Sequence, residues 1–319
     1  VAPEPVPAAR HAVIAGVNKA GTTSLFVSLA EHSDVAPSAV KEPRYFLPLR
    51  WGRPLPPFSE YEAHFRGARP GALRLEASPS YLYGGAPVAA AIDEHLPGVR
   101  VVVVLREPVA RAVSFFTYQK TRLRIPADLP FADYLAEARA LGERLYTDPA
   151  CEPWFAEAGG RYADHLPAWW ERFGTARLRI LFFEELVADP VGELDRLARW
   201  LDLDPDRFPR RGLHRENRTT GYRRAGLQRL ALAVNDRGER VLRRVPALKR
   251  ALRSIYYRVN GRPIGERIPE EVLADLASRY EEPNRCLAAA LTAAGVRLPD
   301  WLRDAAGAGD PGVRSTLTR

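Results

Sequence analysis

Lysine is almost missing from this chain. Only Lys19, Lys41, Lys120 and Lys249 occur among 319 residues that carry 47 basic side chains, so arginine supplies nearly all of the positive charge. Arginine and alanine are what a GC-rich genome writes, and that bias accounts for most surface arginines without any function. Against it, a lysine is informative. Two of the four fall in the two most motif-like stretches, GVNKAGTTSL and KEPRYF, where a compact ammonium serves better than a planar fork.

Cysteine is scarce too. Cys151 and Cys286 lie far apart with no metal-ligand spacing, which argues against a disulfide framework and against a zinc site, and fits a reducing compartment. No apolar run reaches membrane-spanning length. The opening VAPEPVPAAR has no apolar signal core. The expectation is a soluble, cytoplasmic protein with residues 1–10 as a flexible leader. No internal repeat and no second domain stand out. A formal charge of +8 favours anionic partners such as nucleotides or acidic glycans.

What is present is an alternation of strands and helices. HAVIAGV (11–17) reads as a buried strand and Thr22 to about Glu31 as a helix with Leu25, Phe26 and Leu29 on one face. ALRLEASPSYLY (72–83) gives a strand ending near Glu76. VRVVVVLREP (99–108) is a strand covered on both faces, running straight into the helix PVARAVSFFTYQ. A helix over 161–173, a strand LRILFFEEL (178–186) and a helix opened by Asp189 and Pro190 follow. Beyond Leu227 the chain is helical and basic, with two further helical patterns at 269–280 and 284–294. The fold class expected is α/β, a P-loop-like central parallel sheet flanked by helices, with a carboxyl-terminal helical extension over 222–302 and a disordered tail over 303–319.

The loop between the first strand and helix is unusual. Gly16 and Gly21 have phosphate-loop spacing, but Thr22 and Thr23 stand where a triphosphatase needs Lys and Ser/Thr. A helix amino terminus with glycines before it binds phosphate or sulfate through unpaired N–H groups. Lys19 lies inside the loop, placed for a bridging or leaving-group oxygen. The strand that would carry a metal-binding Asp ends in Arg106, which removes the magnesium anchor of triphosphate hydrolysis.

GVNKAGTTSL, KEPRYF, EASPSYLY and LREPVARAVSFF, in that order, resemble the sulfotransferases that use 3′-phosphoadenosine 5′-phosphosulfate, most of all the heparan-sulfate branch and its bacterial relatives. The resemblance covers about 11–202, with weaker echoes to residue 302. It implies that Lys19, Ala20, Gly21, Thr22, Thr23 and Ser24 cradle the 5′-phosphosulfate, with Lys19 at the departing oxygen, and that Arg106 and Ser114 hold the 3′-phosphate. HRENRTTGYRR (214–224) resembles the later loop that closes over the nucleotide, with Arg218 foremost and Asn217 and Arg223 behind it. Glu42 matches the branch's catalytic base; Glu76 is an alternative base, or a structural carboxylate organising Lys19 or the acceptor. No metal is implied. The implied product is adenosine 3′,5′-bisphosphate.

Two departures bear on the acceptor. Arg44 stands where some relatives carry histidine, and Ala77 follows Glu76 where they carry lysine. The expected acceptor is a hydroxyl, less readily an amine, of a carbohydrate or small molecule. Loops 47–70 and 120–160 are the expected acceptor walls, with Trp51, Phe58, Tyr61, Phe65, Tyr146, Trp154 and Phe155 offering an apolar or sugar-stacking pocket. His32, His64 and His165 have no motif around them. The arginine-rich stretch 222–258 reads as a solvated helix face or a membrane-surface contact, and no nucleic-acid module is recognisable. Two rival readings stay open: a small-molecule kinase, and a nucleotide-binding protein without chemistry.

Overall fold

A computed structural model describes residues 10–209, 221, 222, 224, 226–229, 231, 260–262 and 267–307. Asn217, Arg218, Arg223 and most of the basic stretch 222–258 lie outside the described residues.

Five apolar stretches pair as a parallel sheet: β1 (His11–Gly16), β2 (Val35–Pro37), β3 (Leu73–Ala77), β4 (Arg100–Leu105) and β5 (Leu178–Phe182), in the order β2-β3-β1-β4-β5. Valines follow one another along β4 because both its faces are covered, and Val101 to Leu105 are fully buried. Among the described residues, the α-helices bounded at both ends are, in chain order, α1 (Thr22–Ala30), α2 (Phe58–Glu62), α3 (Gly85–His95), α4 (Pro108–Thr121), α5 (Phe131–Ala140), α6 (Arg144–Thr147), α7 (Tyr162–Arg177), α8 (Phe183–Ala188), α9 (Pro190–Trp200), α10 (Glu270–Ala293) and α11 (Asp300–Gly307).

The strand order fixes where the helices go. The chain steps one way from β1 to β2 and the opposite way from β3 through β4 to β5. Right-handed crossovers therefore put α1 on one face and α3 and α7 on the other. The contacts agree: α1 packs against α9, and α3 packs against α7, which in turn meets α10. The Trp169 indole, fully buried on α7, donates to the Leu82 carbonyl at 3.0 Å and ties this face to the loop after β3.

Three boundaries differ from the sequence reading. The strand over 178–186 stops at Phe182, and Phe183–Ala188 turns helical. The two carboxyl-terminal helical patterns are one helix, α10, which runs through Pro283. A mid-helix proline forfeits one backbone hydrogen bond, but Leu276, Tyr280, Pro283, Leu287 and Leu291 form one buried stripe at helical spacing. Packing of that stripe outweighs the lost bond. Finally, α11 continues past Arg303 to Gly307. Among the described residues no helix is long and apolar enough to cross a membrane.

Candidate functional site

The carboxyl end of β1 lies between β3 and β4, and the connections leaving β1 and β4 diverge to opposite faces of the sheet. This is the crevice where open α/β sheets bind ligands. The pairing of β1 with β4 shifts register between Ile14 and Gly16, and the Val17 N–H donates to the Val104 carbonyl at 3.0 Å. The chain then curls through Asn18–Gly21 into α1.

That curl depends on two left-handed residues, Lys19 (φ 73°) and Gly21 (φ 79°). At Gly21 a side chain is also excluded by space, since a Cβ would sit 3.0 Å from the Phe183 ring. The amino terminus of α1 has no side-chain cap and no acidic residue in its first turn. Its N–H groups and dipole are left for an anion. Thr22, Thr23 and Ser24 form that first turn and line a cavity of about 630 Å³ together with Lys19 and Gly21. Ala20 is fully buried beneath the loop.

The Lys19 ammonium stands 4.5 Å from the centre of the Tyr118 ring. Burial lowers its pKa to about 8, helped by the positive charges of Arg106 and Lys41 and opposed by Glu42. Lys19 is thus an ammonium held at a cost in a cationic surrounding, and an incoming anion relieves that cost.

Arg106, at the end of β4, donates from Nη1 to the Lys19 carbonyl at 2.9 Å and lies over the Phe183 ring at 4.6 Å. Its own carbonyl accepts from the Tyr162 hydroxyl at 2.7 Å. Glu107 caps α4, its carboxylate accepting from the Val109 and Ala110 N–H groups at 2.8 and 2.6 Å. So the arginine, the cap and the helix carrying Ser114 form one rigid unit. Ser114 and, one turn on, Tyr118 both line the cavity. Gln119 beside them is 2% exposed, lines the cavity and leaves its Oε1 without a partner. A bare helix amino terminus, a buried ammonium and an arginine at a strand end suit a donor with two anionic ends, and the Gln119 oxygen is left to accept from a ligand N–H or O–H.

The cavity is also lined by Lys41, Glu42, Arg44, Ser80 and Glu152. The Lys41 ammonium donates to Glu42 Oε1 at 2.7 Å. The Arg44 guanidinium donates to Glu152 Oε1 at 2.5 Å, and Asn18 Nδ2 donates to Ser80 Oγ at 3.1 Å. Glu42 faces the cavity, near enough to Lys19 for its charge to act on that ammonium.

Glu76 does not share this position. It is fully buried on β3 and is not among the residues lining the cavity. Burial raises its pKa to about 7, against the hydrogen bond from Ser78 and the nearby Tyr61 and Tyr81 hydroxyls. That placement, off the cavity, suits the structural carboxylate rather than the alternative base.

The expected aromatic pocket is also corrected. None of Trp51, Phe58, Tyr61, Phe65, Tyr146, Trp154 and Phe155 lines the cavity, and the loop 47–70 contributes nothing to it. Phe58, Tyr61 and Phe65 instead pack with Tyr45, Phe46 and His11 in a cluster beside β3. The aromatics of the cavity are Phe115, Tyr118 and Phe183. Within 120–160, only Arg124 and Glu152 reach it. Sequence reasoning missed Tyr118, Gln119, Ser80 and Glu152. The i, i+4 spacing of Ser114 and Tyr118 was the one signal available.

The family model for the sulfotransferase domain matches residues 9–214. The chain belongs to the sulfotransferase domain family. Among curated proteins, heparan sulfate glucosamine 3-O-sulfotransferase 6 of Mus musculus is 32% identical over 197 residues, covering 60% of this chain and 52% of that protein. Heparan sulfate glucosamine 3-O-sulfotransferase 3B1 of Mus musculus is 32% identical over 198 residues, covering 60% and 46%. The chain thus spans about half the length of the curated relatives it matches. A sulfotransferase from Alicyclobacillus acidocaldarius shares the fold, with a TM-score of 0.57 at 23% identity over 75% of this chain and 96% of that one. Membership of this family sets aside the kinase reading, which the missing Lys–Thr after Gly21 already disfavoured.

Proposed function

We propose that this sulfotransferase-family chain moves a sulfuryl group from 3′-phosphoadenosine 5′-phosphosulfate to an acceptor hydroxyl. The observation that carries the reading is that Lys19 and Glu42 line one cavity at the uncapped start of α1, near enough for the Glu42 charge to act on the Lys19 ammonium. The donor supplies an activated sulfuryl group on a phosphate leaving group. Thr22, Thr23, Ser24 and the α1 amino terminus hold its 5′ end, and Arg106 and Ser114 hold its 3′-phosphate. Asn217, Arg218 and Arg223, outside the described residues, are proposed to close over the nucleotide.

Glu42 takes the acceptor's proton as the new S–O bond forms, and the old S–O bond to phosphate breaks on the far side. Lys19 meets the negative charge that collects on the bridging oxygen. An ammonium there acts most strongly in the transition state, because that charge is absent from the ground state. The heparan sulfate relatives support a carbohydrate hydroxyl as acceptor; a small-molecule hydroxyl, or less readily an amine, is the other option.

The test is release of adenosine 3′,5′-bisphosphate from the phosphosulfate donor in the presence of chelator, across a panel of heparan sulfate, neutral oligosaccharides, phenols and amines. Turnover with at least one acceptor is expected. Tight binding of the bisphosphate with no turnover on any of them would mean a nucleotide-binding protein without chemistry.

A further inference from the structure

Glu76 is a carboxyl buried in the core, off the cavity, and the chemistry just described gives it nothing to do. Its contacts do. Ser78 Oγ donates its one hydrogen to Glu76 Oε2 at 2.9 Å. That commitment turns the Ser78 lone pairs outward, and the same oxygen accepts the Arg44 N–H at 3.1 Å. Three residues earlier, the Ala77 N–H donates to the Lys41 carbonyl at 3.1 Å. These two bonds bracket Glu42, one on each side of it. Further back, the Ser38 N–H donates to the Leu75 carbonyl at 2.8 Å. The strap 38–44 therefore runs on from β2 along the end of β3, and the side chain of Glu42 is presented from between two fixed points.

Arg44 is where such a strap needs holding. Its backbone is left-handed (φ 57°) although it is not glycine, a conformation that L residues resist. Without Ser78 its N–H would lose the partner that keeps it there. Glu76 itself is framed by the Tyr61 and Tyr81 hydroxyls, and one of its oxygens, Oε1, has no partner. A carboxyl is costly to bury in this way. Its return is the orientation of one hydroxyl.

We infer that Glu76 is a positioning residue: through Ser78 it fixes the backbone of Arg44 and so aims Glu42 into the cavity. This rests on the proposed role of Glu42 and extends it.

The experiment compares four variants of the whole chain, Ser78→Ala, Glu76→Gln, Glu76→Ala and Glu42→Gln, using whichever acceptor of the panel turns over fastest. Ser78→Ala and Glu76→Ala are expected to lower kcat by about 10- to 100-fold, the scale of an ångström-sized misplacement. Affinity for adenosine 3′,5′-bisphosphate, measured by calorimetry, should stay within about twofold, because the donor wall is untouched. Glu76→Gln keeps an oxygen for Ser78 to donate to and should restore kcat to within about fivefold of the parent. Wild-type kcat in Ser78→Ala would overturn the inference. So would a Glu76→Gln variant as inactive as Glu42→Gln, which would make Glu76 the proton acceptor.

A second measurement needs no acceptor. Hydrogen exchange at the Arg44 amide should quicken about tenfold or more in Ser78→Ala while the β4 amides stay as protected as before. An unchanged rate at Arg44 overturns the inference whatever the activity. If the parent protein turns over no acceptor, the proposed function fails, and the exchange rates still decide whether Glu76 and Ser78 hold the strap.

Discussion

Arg106 Nη1 donates a hydrogen bond to the carbonyl oxygen of Lys19 across 2.9 Å, joining the end of β4 to the loop that leaves β1. The two ends of the proposed donor site are thereby one mechanical unit. A residue assigned to the 3′-phosphate also sets the backbone of the residue assigned to the leaving oxygen.

Arg106→Ala should therefore do two things. Loss of a charge-assisted contact is expected to weaken adenosine 3′,5′-bisphosphate binding by about 10- to 100-fold. The preference for that ligand over adenosine 5′-monophosphate should collapse. Ser114→Ala should move both quantities the same way by less. Calorimetry with the two nucleotides is the measurement, and an unchanged preference in Arg106→Ala would remove the 3′-phosphate from this end of the cavity.

Lys19→Ala should lower kcat by about 10²- to 10³-fold, as for loss of one transition-state donor, and weaken donor binding far less. Equal losses in both would contradict a leaving-group role. The pKa of Lys19, lowered to about 8, gives the sign of the pH effect. Below that value the ammonium is present in the free enzyme, and above it the proton is lost. So kcat/KM for the donor should fall as pH rises through about 8. Lys19→Arg, charged throughout, should lack that limb in a pH–rate profile.

Glu42→Gln should cost about 10²- to 10⁴-fold in kcat, the range for a general base, with bisphosphate affinity intact. Both come from one preparation, by steady-state rates and by calorimetry. Retained turnover would transfer the proton to another group.

Glu76 links burial to stability. Its pKa, about 7 in the folded chain against 4.5 when exposed, means that the fold holds the proton more tightly than the unfolded chain does. No stability is lost below pH 4.5, where both states are protonated. Stability falls between 4.5 and 7, and the full loss persists above 7. Glu76→Gln removes the titrating group. Relative to the parent, its thermal midpoint should stand higher by a few degrees at pH 8 than it does at pH 4. A difference independent of pH would mean that the carboxyl is not held neutral by burial.

The stretches of the proposed donor site were legible as strand, turn and helix because they are continuous. GVNKAGTTSL and LREPVARAVSFF each carry a strand end, a turn and a helix start, and local geometry delivers Lys19, Arg106 and Ser114 to the crevice. The sheet was legible for the same reason: its strands are short apolar runs between turn signals. The rest of the cavity lining was not. Glu152 reaches Arg44 across 108 positions, and nothing in its neighbours announces that meeting. The aromatics of 47–70 were misassigned because a core cluster and a stacking pocket use the same residues, and only packing separates them. Glu76 stayed open between base and structural carboxylate because a motif shows that a carboxylate is present but not which way it is buried.

The pairing of Arg44 with Glu152 has a consequence for how such chains diversify. The proposed nucleotide grip is built on the sheet and the helices that spring from it, whereas Glu152 arrives on the excursion between α4 and α7, whose buried side chains include Phe131, Tyr134, Leu135, Leu145, Cys151 and Phe155. That excursion can be rewritten around its buried anchors without disturbing a single strand. A change of acceptor can arise there while the proposed donor grip stays as it is.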